Sequence, residues 1–292
     1  MSTPTPDKRT CMFCDGRGMT GEHLWPLWMS RLEVRNYDKN SHSQWLSDIN
    51  EEGTFIIKQQ ARLGSIEDIV IKRVCSTCNN GWMSAIQGKA KPLIINLLAG
   101  KRDGLTSDSQ LVLAQWATML MMVAEFLAKD RVAISPAQRR DFMETQRPPE
   151  NVKLWIGNLA AGGQHHLEIY HSALAKITPD KPFSRDHTIQ STTLGLDGLF
   201  FYGISSQENV PIAKLDDSSI MYFSDLKPNT HWWPLVLQLW PPQHEVLPTP
   251  ERPITDAEFK QLAKMISEIS RTPSPGATVF VGDDQAKGAN TP

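Results

Sequence analysis

Cys11-Met12-Phe13-Cys14, with Gly21-Glu22-His23-Leu24-Trp25-Pro26 shortly after it, and Val74-Cys75-Ser76-Thr77-Cys78-Asn79-Asn80-Gly81-Trp82-Met83 are the two ends of the stretch that decides how this chain reads. The two C-x-x-C knuckles use the whole complement of 4 cysteines. Each knuckle offers two thiolates from one tight turn, and two knuckles make the tetrahedral sulfur site that Zn²⁺ prefers. Such a site is closed, because four thiolates leave no position for a substrate, so the metal there is structural. Any chemistry must come from the residues between and beside the knuckles. Glu22 and His23 follow the first knuckle, and Asn79 follows the last cysteine directly.

This arrangement resembles the zinc-stapled branch of the HNH, or ββα-metal, endonucleases, over roughly the first third of the chain. In that family one knuckle leads into a β-hairpin carrying an Asp-His or His-His pair, and the second opens a helix with the remaining metal ligand. The resemblance implies that Glu22 takes the place of the acidic metal ligand, His23 that of the general base, and Asn79 that of an asparagine ligand. It implies Mg²⁺ or Mn²⁺ as the catalytic cation and nucleic acid, more DNA than RNA, as partner. This chain departs from the family pattern in carrying Glu for the commoner Asp and in lacking a histidine late in the helix. It also departs in the 60 residues between Cys14 and Cys75. Where related sequences would carry a Glu, it has Gln87. Asn36, Asn40 and Asn50 are candidates for the middle asparagine of the HNH pattern.

The residue types suit the chemistry. Phosphodiester hydrolysis needs a water activated near neutral pH, and histidine is the side chain that takes such a proton. It also needs positive charge on the phosphate and leaving oxygen. A carboxylate and an amide oxygen are hard ligands suited to Mg²⁺ or Mn²⁺. Lys72, Arg73 and Lys89, with Lys91, are candidate phosphate contacts. The competing reading, from a different class, is a non-catalytic zinc-containing module that binds nucleic acid or protein. In it Glu22 and His23 are relics or structural.

The composition excludes a strongly basic, nucleic-acid-coating protein: 40% hydrophobic, 21% charged, net charge −2. Residues 1–104 hold 14 Lys and Arg against 11 Asp and Glu, a weak positive bias at the end where nucleic acid is expected. Met1 to Arg9 is polar and resembles no secretory signal, so C-x-x-C spacing reads as metal binding in a reducing, cytoplasmic compartment. The apolar run Leu111 to Ala128 carries Gln115, Thr118 and Glu125. Leu113, Trp116, Leu120, Val123 and Leu127 recur at helical spacing, which predicts a buried core helix and no membrane span. Composition leaves a homodimer open.

The expected fold class is α+β: a disordered start (1–10), the zinc-stapled ββα module (11–104), a second α+β domain of unassigned role (105–270) and a flexible tail (271–292). Within the module, the segment 36–66 reads as an insertion with one strand at 54–58, and Ile66 to Val74 alternates as a strand. Asn79, Met83 and Gln87 fall on one helical face at steps of four. A separate short helix is expected over Lys91 to Leu98. Capping boxes open helices at Ser107, Ser135 and Thr255. Strands are expected over Val152–Gly157, His165–Leu174, Ser191–Gly203 and Trp232–Leu239. His165, His166 and His171 do not converge on a strand, and Trp232-Trp233-Pro234 and Trp240-Pro241-Pro242 read as core or sheet-edge features.

Overall fold

The computed structural model describes residues 9–29, 41–49, 55–63, 69–101, 105–127, 132–160, 167–175, 187–196, 198–206, 211–214, 220–222 and 235–269. The expected disordered start at 1–8, the tail beyond 269, the three candidate asparagines, His165, His166, Trp232 and Trp233 lie outside them.

Strand β1 (Met19–His23) pairs antiparallel with β4 (Val70–Cys75). Immediately beyond β4 the chain turns into helix: α1 (Ser76–Cys78), a wide turn over Asn79–Met83, then α2 (Ser84–Leu98). Gly81 leaves the helical region at φ −93, ψ −112, which kinks the start of this helical run. Past Gln87 the helix continues without the break expected before Lys91, even though Pro92 lies inside it. Proline removes the N–H that would reach the carbonyl four residues back. That carbonyl belongs to Gly88, which is exposed, so water can take its place.

The segment between the paired strands supplies two long strands where one short one was expected. β2 (Ser41–Ile49) and β3 (Phe55–Leu63) pair antiparallel with each other and leave the β1–β4 pair. They extend a seven-stranded sheet in the order β11-β5-β8-β7-β6-β2-β3, with β2 parallel to β6. Its other strands are β5 (Val152–Asn158), β6 (Leu167–Ala175), β7 (His187–Leu196), β8 (Leu199–Ser206) and β11 (Val236–Trp240). The expected single strand over 191–203 is a hairpin instead. Gly198, at φ +87, sits between β7 and β8, a left-handed position that glycine adopts at no steric cost. A small antiparallel pair, β9 (Pro211–Lys214) with β10 (Ile220–Tyr222), stands apart.

Helix α3 (Ser107–Ala124) is the expected core helix, and every residue from Trp116 to Ala124 is buried. A helix apolar on all sides needs cover on all sides. It packs against α2 on one flank and against β5, β8 and β11 on the other. Gly203 permits the close approach, since a Cβ there would collide with Met121 and Leu154. Trp116 meets Phe201 edge-on at 5.3 Å. The cap of α3 lies one residue earlier than the sequence suggested: Thr106 accepts the Ser109 N–H. Gln110 is therefore free of the cap, and its amide reaches the carbonyls of Leu105 and His244, both at 3.0 Å. The boxes at Ser135–Gln138 on α4 (Pro136–Thr145) and Thr255–Glu258 on α5 (Asp256–Ile269) form as expected. Of the α5 stripe, Phe259 and Leu262 are buried.

Packing crosses position 104 in several places besides the β2–β3 extension. Trp82 of the second knuckle stands edge-on between Phe13 at 4.9 Å and Phe142 of α4 at 5.6 Å. On the α4 side, fully buried Glu125 takes the N–H groups of Ala133 and Ile134, each at 2.8 Å, and pairs with fully buried Arg139. One apolar core runs from Cys11 through α3 to Leu239.

Candidate metal centre and the acidic cluster beside it

The first knuckle is shaped by backbone hydrogen bonds. The Cys11 N–H reaches the Gly16 carbonyl at 2.8 Å, and the Asp15 N–H reaches the Cys11 carbonyl at 3.0 Å. Asp15 sits at φ 57, and its carboxylate pairs with Arg140 of α4. The Met12 N–H bonds the Arg73 carbonyl at 2.9 Å, which lays this knuckle along β4. The second knuckle is the end of β4 and the first turn of helix beyond it, so pairing of β1 with β4 brings all four cysteines together.

The four sulfurs lie within 4.8 Å of one another, with Cys14 and Cys75 at 3.5 Å, and could hold a metal ion such as zinc. A tetrahedron of Zn–S bonds of 2.3 Å requires sulfurs about 3.8 Å apart. A disulfide requires about 2.05 Å, and all four cysteines are free. Electrostatics agree with the geometry. Burial would raise Cys75, but the Cys78 backbone N–H and the neighbouring thiols hold it below the ordinary thiol range. Burial pushes Cys14 and Cys78 up. A dication at the centre would stabilise all four as thiolates. Gly16 lies against the sulfurs, where a Cβ would stand 3.1 Å from Cys14 Sγ. Met143 covers the far side, with its sulfur 3.9 Å from Cys78 Sγ.

The acidic cluster forms where β1 faces the helix. Thr20 and Glu22, two apart on β1, share the face turned toward it. Asn79 Nδ2 donates to Thr20 Oγ1 at 3.1 Å, and Gln87 Nε2 donates to Glu22 Oε1 at 3.1 Å. Asn79 also hydrogen-bonds the Glu22 carboxylate. Glu22 is only 4% exposed. Burial pushes its carboxyl up to about 7, against the opposing effect of the Gln87 and Asn79 hydrogen bonds. Gln87 was legible as a member of the Asn79 face, two turns on, but nothing in its residue type marked it as Glu22's partner.

His23 is placed differently. Directly opposed residues on antiparallel strands share a face, and successive residues alternate. Glu22 pairs with buried Ile71, and His23 pairs with Val70, which is 39% exposed. His23 therefore belongs to the outer face of the strand pair while Glu22 belongs to the inner one. Among the phosphate-contact candidates, Lys72, Lys89 and Lys91 are exposed, and Lys91 lies 5.8 Å from the Trp28 ring centre. Arg73 requires a correction. Its side chain is buried at 9%, with its guanidinium 4.7 Å from the centre of the Phe126 ring. Arg139 lies 4.9 Å from the same ring. Arg73 is thus held in the core by an aromatic face and is withdrawn from any phosphate. His171 is likewise internal, with Nδ1 at 2.9 Å from Thr192 Oγ1.

The Glu22 carboxyl carries a stability consequence. Its folded value, about 7, lies above the ordinary 4.5, so the folded state holds the proton more tightly than the unfolded one. The stability this supplies is fully present below pH ~4.5 and is lost as the pH rises through 7. Glu22→Gln is neutral throughout and escapes that loss. In divalent-free buffer, the stability of Glu22→Gln relative to wild type should rise by about 2–3 kcal/mol between pH 5 and pH 8. Urea unfolding of both proteins at the two pH values checks it, and an unchanged difference would show Glu22 already ionised at pH 5.

Comparison of the chain with models of known protein families, with curated proteins and with solved structures found no match.

Proposed function

We propose that the N-terminal third is a zinc-stapled ββα-metal module of the HNH type, and that it hydrolyses phosphodiester bonds of nucleic acid, DNA in preference to RNA. The observation that carries the reading is the meeting of Glu22, on β1, with Asn79, at the start of the helix, between two knuckles whose four sulfurs cluster. A carboxylate is a ligand for a hard divalent cation such as Mg²⁺ or Mn²⁺, and Asn79, whose Nδ2 donates to Thr20 Oγ1, joins it with its amide turned to present the oxygen. A cation held by Glu22 and Asn79 would put positive charge on the scissile phosphate and its leaving oxygen. His23, at the end of β1, takes the proton of the attacking water. Lys72, on the same outer face as His23, and Lys89 hold neighbouring phosphates. The four-cysteine site supplies no step; it fixes the angle at which β1 meets the helix.

A second reading has a specific observation in its favour. His23 and Glu22 lie on opposite faces of the strand, and Gln87 and Asn79, the donors to Glu22, both come from the helical run after β4, which is also what a structural polar contact looks like. On that reading the module binds nucleic acid or protein without cutting it. Nicking of supercoiled plasmid by purified full-length protein separates the two. The nuclease reading expects Mg²⁺- or Mn²⁺-dependent nicking that Glu22→Ala abolishes at millimolar metal. Absence of nicking under every divalent cation leaves the binding module.

A further inference from the structure

We infer that the four-cysteine site is also an oxidation switch: a hydroperoxide reaches it at Cys14, a disulfide forms between Cys14 and Cys75, and the site gives up its zinc. This rests on the zinc reading of the cluster and on no step of the phosphodiester chemistry.

The two sides of the cluster are built differently. Cys11, Cys75 and Cys78 are buried at 1%, 3% and 3%, whereas Cys14 is partly exposed. Gly16 is partly exposed as well, and a Cβ there would stand 3.1 Å from Cys14 Sγ and 3.8 Å from Cys75 Sγ. A residue with no side chain thus lies against these two sulfurs on the side that meets solvent. On the far side Met143 sets its sulfur 3.9 Å from Cys78 Sγ, and Trp82, one turn beyond Cys78, is packed between Phe13 and Phe142. A small oxidant therefore meets Cys14 first.

The sulfur next to Cys14 belongs to the other knuckle: Cys75 Sγ is 3.5 Å away. Thiolate is the form that attacks a peroxide. The Cys14 sulfur takes an OH group from hydrogen peroxide as the O–O bond breaks, which leaves a sulfenic acid and releases hydroxide. The Cys75 thiolate then attacks the Cys14 sulfur, an S–S bond forms, the S–O bond breaks and a second hydroxide leaves. The two hydroxides take up two protons and become water; the two sulfurs have supplied the two electrons that reduce the peroxide. Cys11 and Cys78 alone are two ligands short of the closed site that holds structural zinc. The new bond joins the same two knuckles that the metal joins, so the link between the 11–14 turn and the end of β4 outlasts the zinc. A bond within either knuckle would leave them unlinked.

The test treats full-length, zinc-loaded protein with hydrogen peroxide. Released zinc is read with a chromogenic chelator, and disulfides by peptide mass mapping after free thiols are blocked. The expected result is loss of the bound zinc in step with a Cys14–Cys75 disulfide, both reversed by dithiothreitol and added zinc. Gly16→Ala, which covers the two sulfurs, should slow the release severalfold, whereas Met143→Ala should leave both its rate and the linkage as in wild type. Zinc retained under peroxide, Cys14 carried to the sulfinic acid without a disulfide, or Cys11–Cys14 or Cys75–Cys78 as the first disulfide overturns the switch and leaves the zinc site standing. Well-folded protein that binds no zinc before peroxide is added overturns both.

Discussion

His23→Ala should slow plasmid nicking by a factor of about 10²–10⁴, the range lost with a general base, while zinc content and fold survive. The ring sits on the partly exposed face of the β1–β4 pair, outside the sulfur cluster and outside the Glu22 contacts with Gln87 and Asn79. On the proposed reading its removal takes away proton transfer and leaves the sulfur cluster intact. The variant that fails differently is Glu22→Ala, whose loss more cation should partly restore, since a ligand and not the base is gone. A His23→Ala protein that nicks at the wild-type rate would remove the base from the mechanism.

Cys75→Ser should lose zinc and the fold of more than the first third of the chain. Structural zinc contributes roughly 10–16 kcal/mol of apparent binding energy in zinc-finger peptides, and there binding and folding are one event. Here Cys75 is both a member of the sulfur cluster and the last residue of β4. The strand carries Arg73 against Phe126, and the knuckle beyond it carries Trp82 against Phe142. Loss of the site thus reaches α3 and α4 through contacts that already cross position 104. Thermal unfolding followed by near-ultraviolet dichroism, with zinc measured by elemental analysis, reads both effects. Well-folded Cys75→Ser lacking zinc would show that the apolar core holds these elements without the metal.

The parts of this molecule legible in its sequence are those decided locally. Each C-x-x-C knuckle is one turn, so spacing alone identified it, and the step of four from Asn79 to Gln87 follows from helical geometry. The boxes at Ser135 and Thr255 have their partners three residues away. Thr106 and Ser107 are adjacent and both able to cap, and the choice between them falls to Gln110, whose amide is taken by the carbonyl of His244, far along the chain. Arg73 shares its alternation with Ile69 and Ile71, but its charge suggested phosphate, because Phe126, the ring that holds it, lies 53 residues on. The segment 36–66 has little apolar alternation of its own. Its strands exist through pairing with each other and with β6, more than a hundred residues downstream. The run from 191 to 203 was read through as one strand although Asp197-Gly198, a residue pair favoured in tight hairpin turns, lies in its middle. Glu22 shows the limit from the other side: its neighbours in sequence fix its strand, and only the helix beyond β4 determines that its carboxylate is buried.

Crystals of the full-length protein grown at pH 8 with Mn²⁺, with anomalous difference maps recorded at the zinc and manganese absorption edges, test the central claim most directly. The account predicts a zinc peak among the sulfurs of Cys11, Cys14, Cys75 and Cys78, and a separate manganese peak against the side-chain oxygens of Glu22 and Asn79. A zinc peak with no manganese at Glu22, in crystals whose solvent holds millimolar Mn²⁺, would contradict it and leave a zinc-stapled binding module.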